Sequence, residues 1–370
     1  MIISGCSARM NQWRDVRQFG IGLLFLASAI LVRPDTAVAD EDTGGLTSPA
    51  PKTEANAGKP TRTVRDIVAR SVPYIEREGA AWIASKDCLS CHHTSFMVWS
   101  LNAANQQGVP VDQEKLARWT EWATDWRNLA SPSARAQAVR EDTVRGGSDT
   151  IAQLLLGRPV SDIATNQPEW VAEYATQLAK GQRDDGSWNP GGQLPGQKRP
   201  KRETTEVSTT WALLARGASG VQDDALPAAQ EKARAWLGEE TAGLSTEWWA
   251  TRLMLERRLG NNDKANRIRE ELLKRQRADG GWGWLCADDS DALGTGIAIF
   301  ALGRDKLTAA HPAIAKAHAF LSQTQNEDGS WQVKGTKEGK KDRIEPTSMF
   351  WGACWAVIGL CETAEALSKL

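Results

Sequence analysis

Two kinds of helix alternate along most of the chain, and the spacing of their apolar residues separates them. In the first kind, apolar residues recur at i, i+3, i+4 and i+7, so that one face is buried and the other meets solvent. An example is the set Val171, Tyr174, Ala175 and Leu178. In the second kind, such as 297–302, apolar residues cover most of the circumference, which predicts a helix enclosed on all sides. The pattern therefore predicts outer, half-solvated helices paired with inner, buried ones.

Six helices of each kind are predicted. The inner helices are expected at about 93–105, 147–157, 205–217, 246–259, 291–303 and 347–361. The outer helices are expected near 65–86, 113–128, 167–182, 227–238, 262–277 and 311–325. Six hairpins of one handedness can close into an all-α fold, an α/α toroid in which one barrel of helices surrounds another. An open solenoid is the alternative, and it would expose the inner helices at its two ends.

A seven-residue phrase recurs three times and sets the period of the hairpins. It has Gln at the first position, Asp-Gly at the fourth and fifth and Trp at the seventh, and it begins at Gln182, Gln276 and Gln325. The copies are 94 and 49 residues apart, and a period of this size is typical of stacked supersecondary units. The Asp-Gly pair is a helix stop, because glycine adopts the left-handed conformation that a helix end requires.

This phrase resembles the QW motif of the squalene and hopene cyclase family, in which glutamine and tryptophan tie neighbouring outer helices together. The match covers roughly residues 165–365. The chain is further similar to exported bacterial squalene-cyclase-like proteins, in which a phrase like 290–296 follows a QW segment. The resemblance, which extends to protein prenyltransferases, implies an α/α toroid whose apolar inner cavity binds or transforms an isoprenoid-like ligand.

The same resemblance implies a catalytic acid in a D-x-D-D-T-A motif at the start of an inner helix. The corresponding carboxylates here are Asp288, Asp289 and Asp291. The motif is incomplete, because Ala292 stands where the second Asp of the pair is expected and the threonine arrives later, as Thr295. The alternative is a structural role, in which these side chains cap the inner helix that follows. Whether the protein is an enzyme is therefore left open.

Tryptophan is unusually frequent, with 17 residues against two tyrosines and six phenylalanines. Aromatic side chains on the inner helices are candidates for the lining of a ligand cavity, where their faces would stabilise a cation. These candidates are Trp99, Trp211, Trp248, Trp249, Phe300, Phe350, Trp351 and Trp355. The alternative is that they form core, which the pattern does not distinguish.

The string Cys88, Leu89, Ser90, Cys91, His92 is the attachment motif of c-type haem. It predicts covalent haem on the two thiols, with His92 as an axial ligand of the iron. His93, Met97 and a distant histidine are the candidates for the other axial position, of which Met97 lies only five residues from His92 and can hardly reach the opposite face of a haem while the helix is continuous. The alternatives are a disulfide between the two cysteines, free thiols, or a zinc site that also uses His92 and His93.

The N-terminal 39 residues predict export. Three arginines precede an apolar run from Ile21 to Val32, and the small residues Ala37 and Ala39 mark a cleavage site before Asp40. We expect a signal peptide over 1–39, a disordered linker over 40–62 and the toroid over 63–370. An uncleaved membrane anchor is the alternative, although the apolar run is shorter than the ~20 residues of a spanning helix. The expected location is the periplasm.

A formal net charge of −1 gives no support for nucleic-acid binding. Expected partners are an apolar small molecule, a second protein, or a membrane surface touched by the basic loop 195–202. The main alternative function is a non-catalytic scaffold in a periplasmic redox assembly. A third hypothesis is a polysaccharide-active α/α barrel, which needs paired carboxylates beside an aromatic cleft and for which Glu247 is the candidate.

Overall fold

The part of the chain that the structure describes contains twelve α-helices. The structure, a computed structural model, describes residues 62–87, 89, 93–129, 147–159, 168–191, 194–238 and 242–364. In chain order the helices are α1 Val64–Lys86, α2 Thr94–Gln106, α3 Gln113–Thr124, α4 Ser148–Leu156, α5 Glu169–Lys180, α6 Lys201–Ala218, α7 Leu226–Leu237, α8 Thr246–Arg258, α9 Asn262–Lys274, α10 Ala292–Arg304, α11 Pro312–Thr324 and α12 Pro346–Thr363. Within these ranges, β structure is limited to isolated bridges.

The even-numbered helices form a closed inner ring. Along the ring, α2 contacts α4, α4 contacts α6, and the contacts continue through α8 and α10 to α12, which returns to α2. Glycines bring α10 and α12 close together, since a Cβ on Gly296 would lie 2.4 Å from the backbone of Trp355. The all-α toroid is therefore confirmed, and the open solenoid is excluded because the first inner helix meets the last.

The odd-numbered helices form the outer layer, and the Gln/Trp phrases join them. The indole N–H of Trp282 donates to the carbonyl of Leu272 at the end of α9. The side chain of Gln276 donates to the carbonyl of Ala313 in the first turn of α11. Trp188 and Gln182 make the equivalent bonds two joints earlier, between α5 and α7, and each phrase therefore fixes the end of one outer helix to the start of the next.

The third phrase closes the outer layer. Gln325 donates to the carbonyl of Ile67 in α1 at 2.9 Å and accepts a hydrogen bond from Arg62 at 2.8 Å. Ser71 of α1 donates to the carbonyl of Gly329. The predicted role of the phrase in tying neighbouring outer helices thus extends to the joint between the last outer helix and the first.

The centre of the inner ring is filled with aromatic side chains rather than left open along its length. Trp355 lies at the middle of this cluster, with its ring centroid 5.3–5.8 Å from those of Phe96, Trp99, Trp211 and Phe300. Tilted and edge-to-face rings at such separations are favourable. The cluster divides the interior into two ends, one at the N-terminal ends of the inner helices and one at their C-terminal ends. None of the helices described here is long and apolar enough to span a membrane.

Candidate functional site

An open cavity of about 750 Å³ lies at the C-terminal ends of the inner helices. All six inner helices contribute to its wall, because the closed ring brings their last turns around one axis. This volume lies within the ~300–1,000 Å³ range of small-molecule sites. The cavity is therefore the candidate functional site.

The floor of the cavity is aromatic. Trp99, Trp211 and Phe300 line it, and the ring of Trp99 meets those of Trp211 and Phe300 nearly edge to face. The indole N–H of Trp211 donates to Oε1 of Glu247 at 2.9 Å, which fixes the tilt of the ring. Because the rings support one another, the floor presents fixed apolar faces to a ligand.

The wall above the floor carries four guanidinium groups: Arg158, Arg257, Arg258 and Arg304. Two of them are tied to the protein, since Arg158 donates to the carbonyls of Ala218 and Ser219 and Arg257 donates to Asp305.

Arg258 and Arg304 differ because they are exposed at the mouth. Arg258 donates to the carbonyl of Gly217, and within the described ranges no carboxylate lies within ion-pair distance of it. Burial and the neighbouring charge of Arg304 lower the pKa of Arg258. Two neighbouring guanidiniums, of which only Arg304 has a carboxylate within ion-pair distance among the described residues, favour the binding of an anion.

Two carboxylates also line the cavity. Asp305 ends α10, and its oxygens accept from Arg257 at 2.5 Å and Arg269 at 3.2 Å. Glu362 lies in the last turn of α12, with its carboxylate 3.6 Å from Nη1 of Arg304. Burial raises the pKa of Glu362, and the nearby Arg304 opposes this effect. The two acids therefore differ in how firmly cations hold them.

Amide side chains of α2 complete the wall. Asn102 donates to the carbonyl of Gly157 and Gln107 donates to the carbonyl of Cys361. These bonds use the amide nitrogens, so the amide oxygens remain as acceptors for hydroxyl donors on a ligand. The cavity thus combines apolar faces, hydrogen-bond acceptors and positive charge.

The three predicted catalytic aspartates lie at the opposite end of the toroid. Asp291 caps α10, because its carboxylate accepts from the backbone N–H of Gly294 at 2.7 Å and of Trp284 at 3.0 Å. Burial raises the pKa of Asp291 to about 6. Asp288 pairs with Lys198, and Asp289 is exposed beside Lys334. The 13 residues of α10, about 20 Å at 1.5 Å per residue, separate these acids from the cavity.

Three of the eight predicted cavity aromatics, Trp99, Trp211 and Phe300, line the cavity. Trp355 lies buried beneath them in the aromatic cluster. The other four, Trp248, Trp249, Phe350 and Trp351, lie elsewhere in the core. Trp248 donates to Glu206 and Trp249 donates to the carbonyl of Gly243.

The predicted haem ligands Cys88, Cys91 and His92 lie outside the described residues. The neighbouring His93 is described, and its ring is sandwiched between Trp82 and Phe350, with centroid distances of 3.8 Å and 4.8 Å. Met97, the other axial candidate, is buried against Gly79 of α1. Among the described residues there is no group of three side chains able to hold a metal ion. The haem site stays a prediction.

The remaining sequence candidates form a buried polar network at the N-terminal end. Glu247 accepts from Arg199 at 2.8 Å as well as from Trp211, and it does not reach the cavity wall. Arg199 and Lys198 of the basic loop point inward, where both lie over the ring of Trp284. These two cations therefore stabilise the loop and are not available to a membrane surface.

Sequence reasoning missed the guanidinium groups of the cavity. A signal for them exists, because α8 and α10 each carry arginine in their last turn. A cation there interacts favourably with the helix dipole, so each residue alone is explained as a helix end. Only ring closure brings the last turns together and makes them one site.

The comparisons with known proteins concern fold alone. No protein-family model matches the chain, and no curated protein matches it. The unsaturated glucuronyl hydrolase of Bacillus sp. GL1, described as responsible for the degradation of glycosaminoglycan, is similar with a TM-score of 0.51 and 14% identity over 80% of this chain and 96% of that one. The unsaturated glucuronyl hydrolase of Streptococcus agalactiae is similar with a TM-score of 0.49 and 11% identity over 82% and 93%.

The similarity to the Bacillus structure corrects the family expectation. That protein is an unsaturated glucuronyl hydrolase with an α/α toroid fold, not a squalene or hopene cyclase, and the prediction of a cyclase or prenyltransferase relative is wrong. The physical reason is that the Gln/Trp phrase joins outer helices, and this structural role does not determine what the inner ring binds. An isoprenoid ligand and the alternative of a redox-assembly scaffold are not supported either.

Proposed function

We propose that this chain is a glycan-active protein that binds an acidic saccharide in the cavity at the C-terminal ends of its inner helices. The observation that carries the proposal is the combination of an aromatic floor with two exposed guanidiniums, Arg258 and Arg304, on one wall. A sugar ring has apolar C–H faces that pack on aromatic rings, hydroxyls that need hydrogen-bond partners and, in a uronate, a carboxylate that guanidinium binds well. The cavity offers a group for each of these features.

The names of the similar structures support the same class of ligand. Unsaturated glucuronyl hydrolase denotes an enzyme whose ligand is a saccharide with a carboxylate. An apolar ligand would offer no partner to Arg258 and Arg304 and would cover charged groups that water otherwise solvates. An acidic saccharide uses both the charged wall and the aromatic floor.

The test is calorimetric titration with a glucuronate-containing disaccharide and with the methyl ester of the same disaccharide. Esterification removes the negative charge and little else. We expect the acid to bind about 10- to 100-fold more tightly, because a hydrogen bond to a charged group contributes about 1.5–3 kcal/mol. Arg258→Gln is expected to reduce this preference by about 10-fold.

The matched control is Arg77→Gln, which removes an exposed arginine of the outer helix α1 that lies outside the cavity. This variant is expected to bind as the wild type does. Equal affinity for the acid and its ester, or an equal effect of Arg77→Gln and Arg258→Gln, would show that the cavity does not recognise the carboxylate.

Hydrolysis of the bound saccharide is a second candidate function, favoured by the carboxylates Asp305 and Glu362 on the cavity wall. Glycosidic hydrolysis uses one carboxyl group that gives a proton and one carboxylate that activates water or attacks. The raised pKa of Glu362 suits the proton donor. Product analysis after incubation tests this, and Glu362→Gln is expected to keep saccharide binding while losing cleavage.

A further inference from the structure

Glu362 and Arg304 form an ion pair at the mouth of the cavity that a bound anion would disturb. Their closest charged atoms are 3.6 Å apart, and both residues line the cavity. The side chain of Glu362 is 28% exposed and that of Arg304 is 60% exposed. In the described part of the chain, Arg304 is the one cation within ion-pair distance of Glu362. The pair is loose and accessible.

The other acid of the wall is held differently. Asp305 is 3% exposed and sits between two guanidiniums, those of Arg257 and Arg269. A ligand carboxylate that took the place of Asp305 would break its ion pairs with Arg257 and Arg269. The Asp305 carboxylate would then stay buried without these partners. The loose pair at the mouth is therefore the place where a ligand carboxylate competes with a carboxylate of the protein.

We propose that Glu362 is a specificity-determining residue, an internal counter-anion that a ligand carboxylate displaces from Arg304. This inference rests on the proposed function, since it concerns the same cavity and the same acidic saccharide. Ionised Glu362 weakens binding by occupying Arg304 and by repelling the incoming charge. Protonated Glu362 leaves Arg304 to the ligand, so the site binds acidic saccharides more tightly as pH falls.

The surroundings of Glu362 raise its pKa, which favours the protonated form that leaves Arg304 to the ligand. Burial raises the pKa of Glu362, while the positive charges of Arg304 and Lys306 oppose it. The charged side chains that line the cavity with Glu362 are Arg158 just after α4, Arg257 and Arg258 of α8, and Arg304 and Asp305 on the α10 side, with Lys306 next to them. On α1, Arg65 donates to the carbonyl of Gly108, and the adjacent Gln107 donates to the carbonyl of Cys361 in α12. His318 of α11 contacts Thr363, and burial lowers its pKa to about 4, so it stays neutral above that pH.

The test is calorimetric titration of the glucuronate-containing disaccharide into wild type and Glu362→Gln between pH 5 and pH 8, a range in which the ligand carboxylate stays ionised. For the wild type we expect Kd to rise about 2- to 5-fold from pH 5 to pH 8. This is the effect of breaking one exposed ion pair when the ligand binds. Glu362→Gln is expected to bind with a Kd that does not change with pH and that does not exceed the wild-type Kd at pH 5.

Two further variants make the outcome decisive. Asp223→Asn removes a carboxylate that pairs with Arg216 away from the cavity, and it should keep the wild-type pH slope. Arg304→Gln should have a smaller slope than the wild type, because competition for Arg304 is gone and only the repulsion between Glu362 and the ligand carboxylate remains. If wild type and Glu362→Gln bind with the same pH slope, the proposed counter-anion role of Glu362 is overturned and the proposed function remains intact. Absence of binding by both at every pH would instead overturn the proposed function.

Discussion

The joint that closes the toroid depends on one glycine, Gly329, and replacing it with alanine tests the closure directly. Gly329 has φ +87°, a conformation that L side chains rarely adopt, and a Cβ there would lie 2.0 Å from the carbonyl oxygen of Arg70 in α1. The new methyl group would therefore meet the backbone of a helix, which cannot move aside as a side chain can. Either α1 shifts away from the joint or the turn changes its conformation.

The expected loss follows from these two effects. A left-handed conformation costs a non-glycine residue about 1–2 kcal/mol. Overpacking at a tight site costs about 1–3 kcal/mol more. Moving α1 also weakens the bonds to Gly329 from Ser71 and Gln325, whose donor–acceptor distances are 2.8 Å and 3.3 Å. We expect Gly329→Ala to reduce the free energy of unfolding by about 2–5 kcal/mol.

The assay is urea unfolding followed by circular dichroism at the helix band. Gly339→Ala is the matched control, because a Cβ on Gly339 meets no atom within 4 Å and its φ is not positive. That variant should unfold within about 0.5 kcal/mol of the wild type. A shared urea midpoint for Gly329→Ala and Gly339→Ala, with unchanged m, would refute the claim that closure of the outer layer depends on the conformation and tight packing of Gly329.

Three other predictions concern pH, cofactor and processing. Burial raises the pKa of Asp149 to about 6 from 3.8, so the folded state binds this proton more tightly than the unfolded state does. The proton therefore contributes to the free energy of unfolding in full below pH 3.8, and this contribution is lost as pH rises through 6. Relative to Asp149→Asn, the wild type should lose about 2 kcal/mol between pH 4 and pH 7, and parallel stability curves would contradict this. Co-expression with haem-attachment proteins should add one haem mass that survives denaturation and is absent from Cys88→Ala/Cys91→Ala, whereas a two-proton loss would indicate a disulfide. N-terminal sequencing of exported protein should begin at Asp40, and retention of residue 1 in a membrane fraction would indicate an anchor.

Much of the fold could be predicted because it depends on short-range patterns. The apolar periodicity around Val171 predicted an outer helix near 167–182, and the structure has α5 at Glu169–Lys180. The all-round apolar stretch at Ile297 gave the inner helix α10, whose bounds are Ala292–Arg304 against a predicted 291–303. Both patterns reflect which sides of a helix are covered, and that information is carried by residues a few positions apart.

The candidate site could be predicted only in part. Trp99, Trp211 and Phe300 were expected on a cavity wall, because inner-helix aromatics must face the ring interior or a neighbouring helix. The same argument selected Trp248 and Trp249, whose indoles bond to Glu206 and to the carbonyl of Gly243 instead. Which side of an inner helix faces the axis depends on how its neighbours pack, and a helix that is apolar all round carries no such mark in its sequence.

The family inference failed for a related reason. The Gln/Trp phrases determine a local geometry, in which an indole N–H meets the last turn of one outer helix and an amide meets the first turn of the next. That geometry serves any toroid, whatever its cavity holds.

By itself the sequence determined the twelve described helices, their alternation and the places where the three Gln/Trp phrases end outer helices, because each of these depends on residues a few positions apart. Tertiary structure alone decided which end of the ring is open, and that Arg258 and Arg304 share a mouth with Glu362. These residues come from α8, α10 and α12, and no local pattern relates them. They form one site because ring closure places the last turns of the inner helices around a common axis.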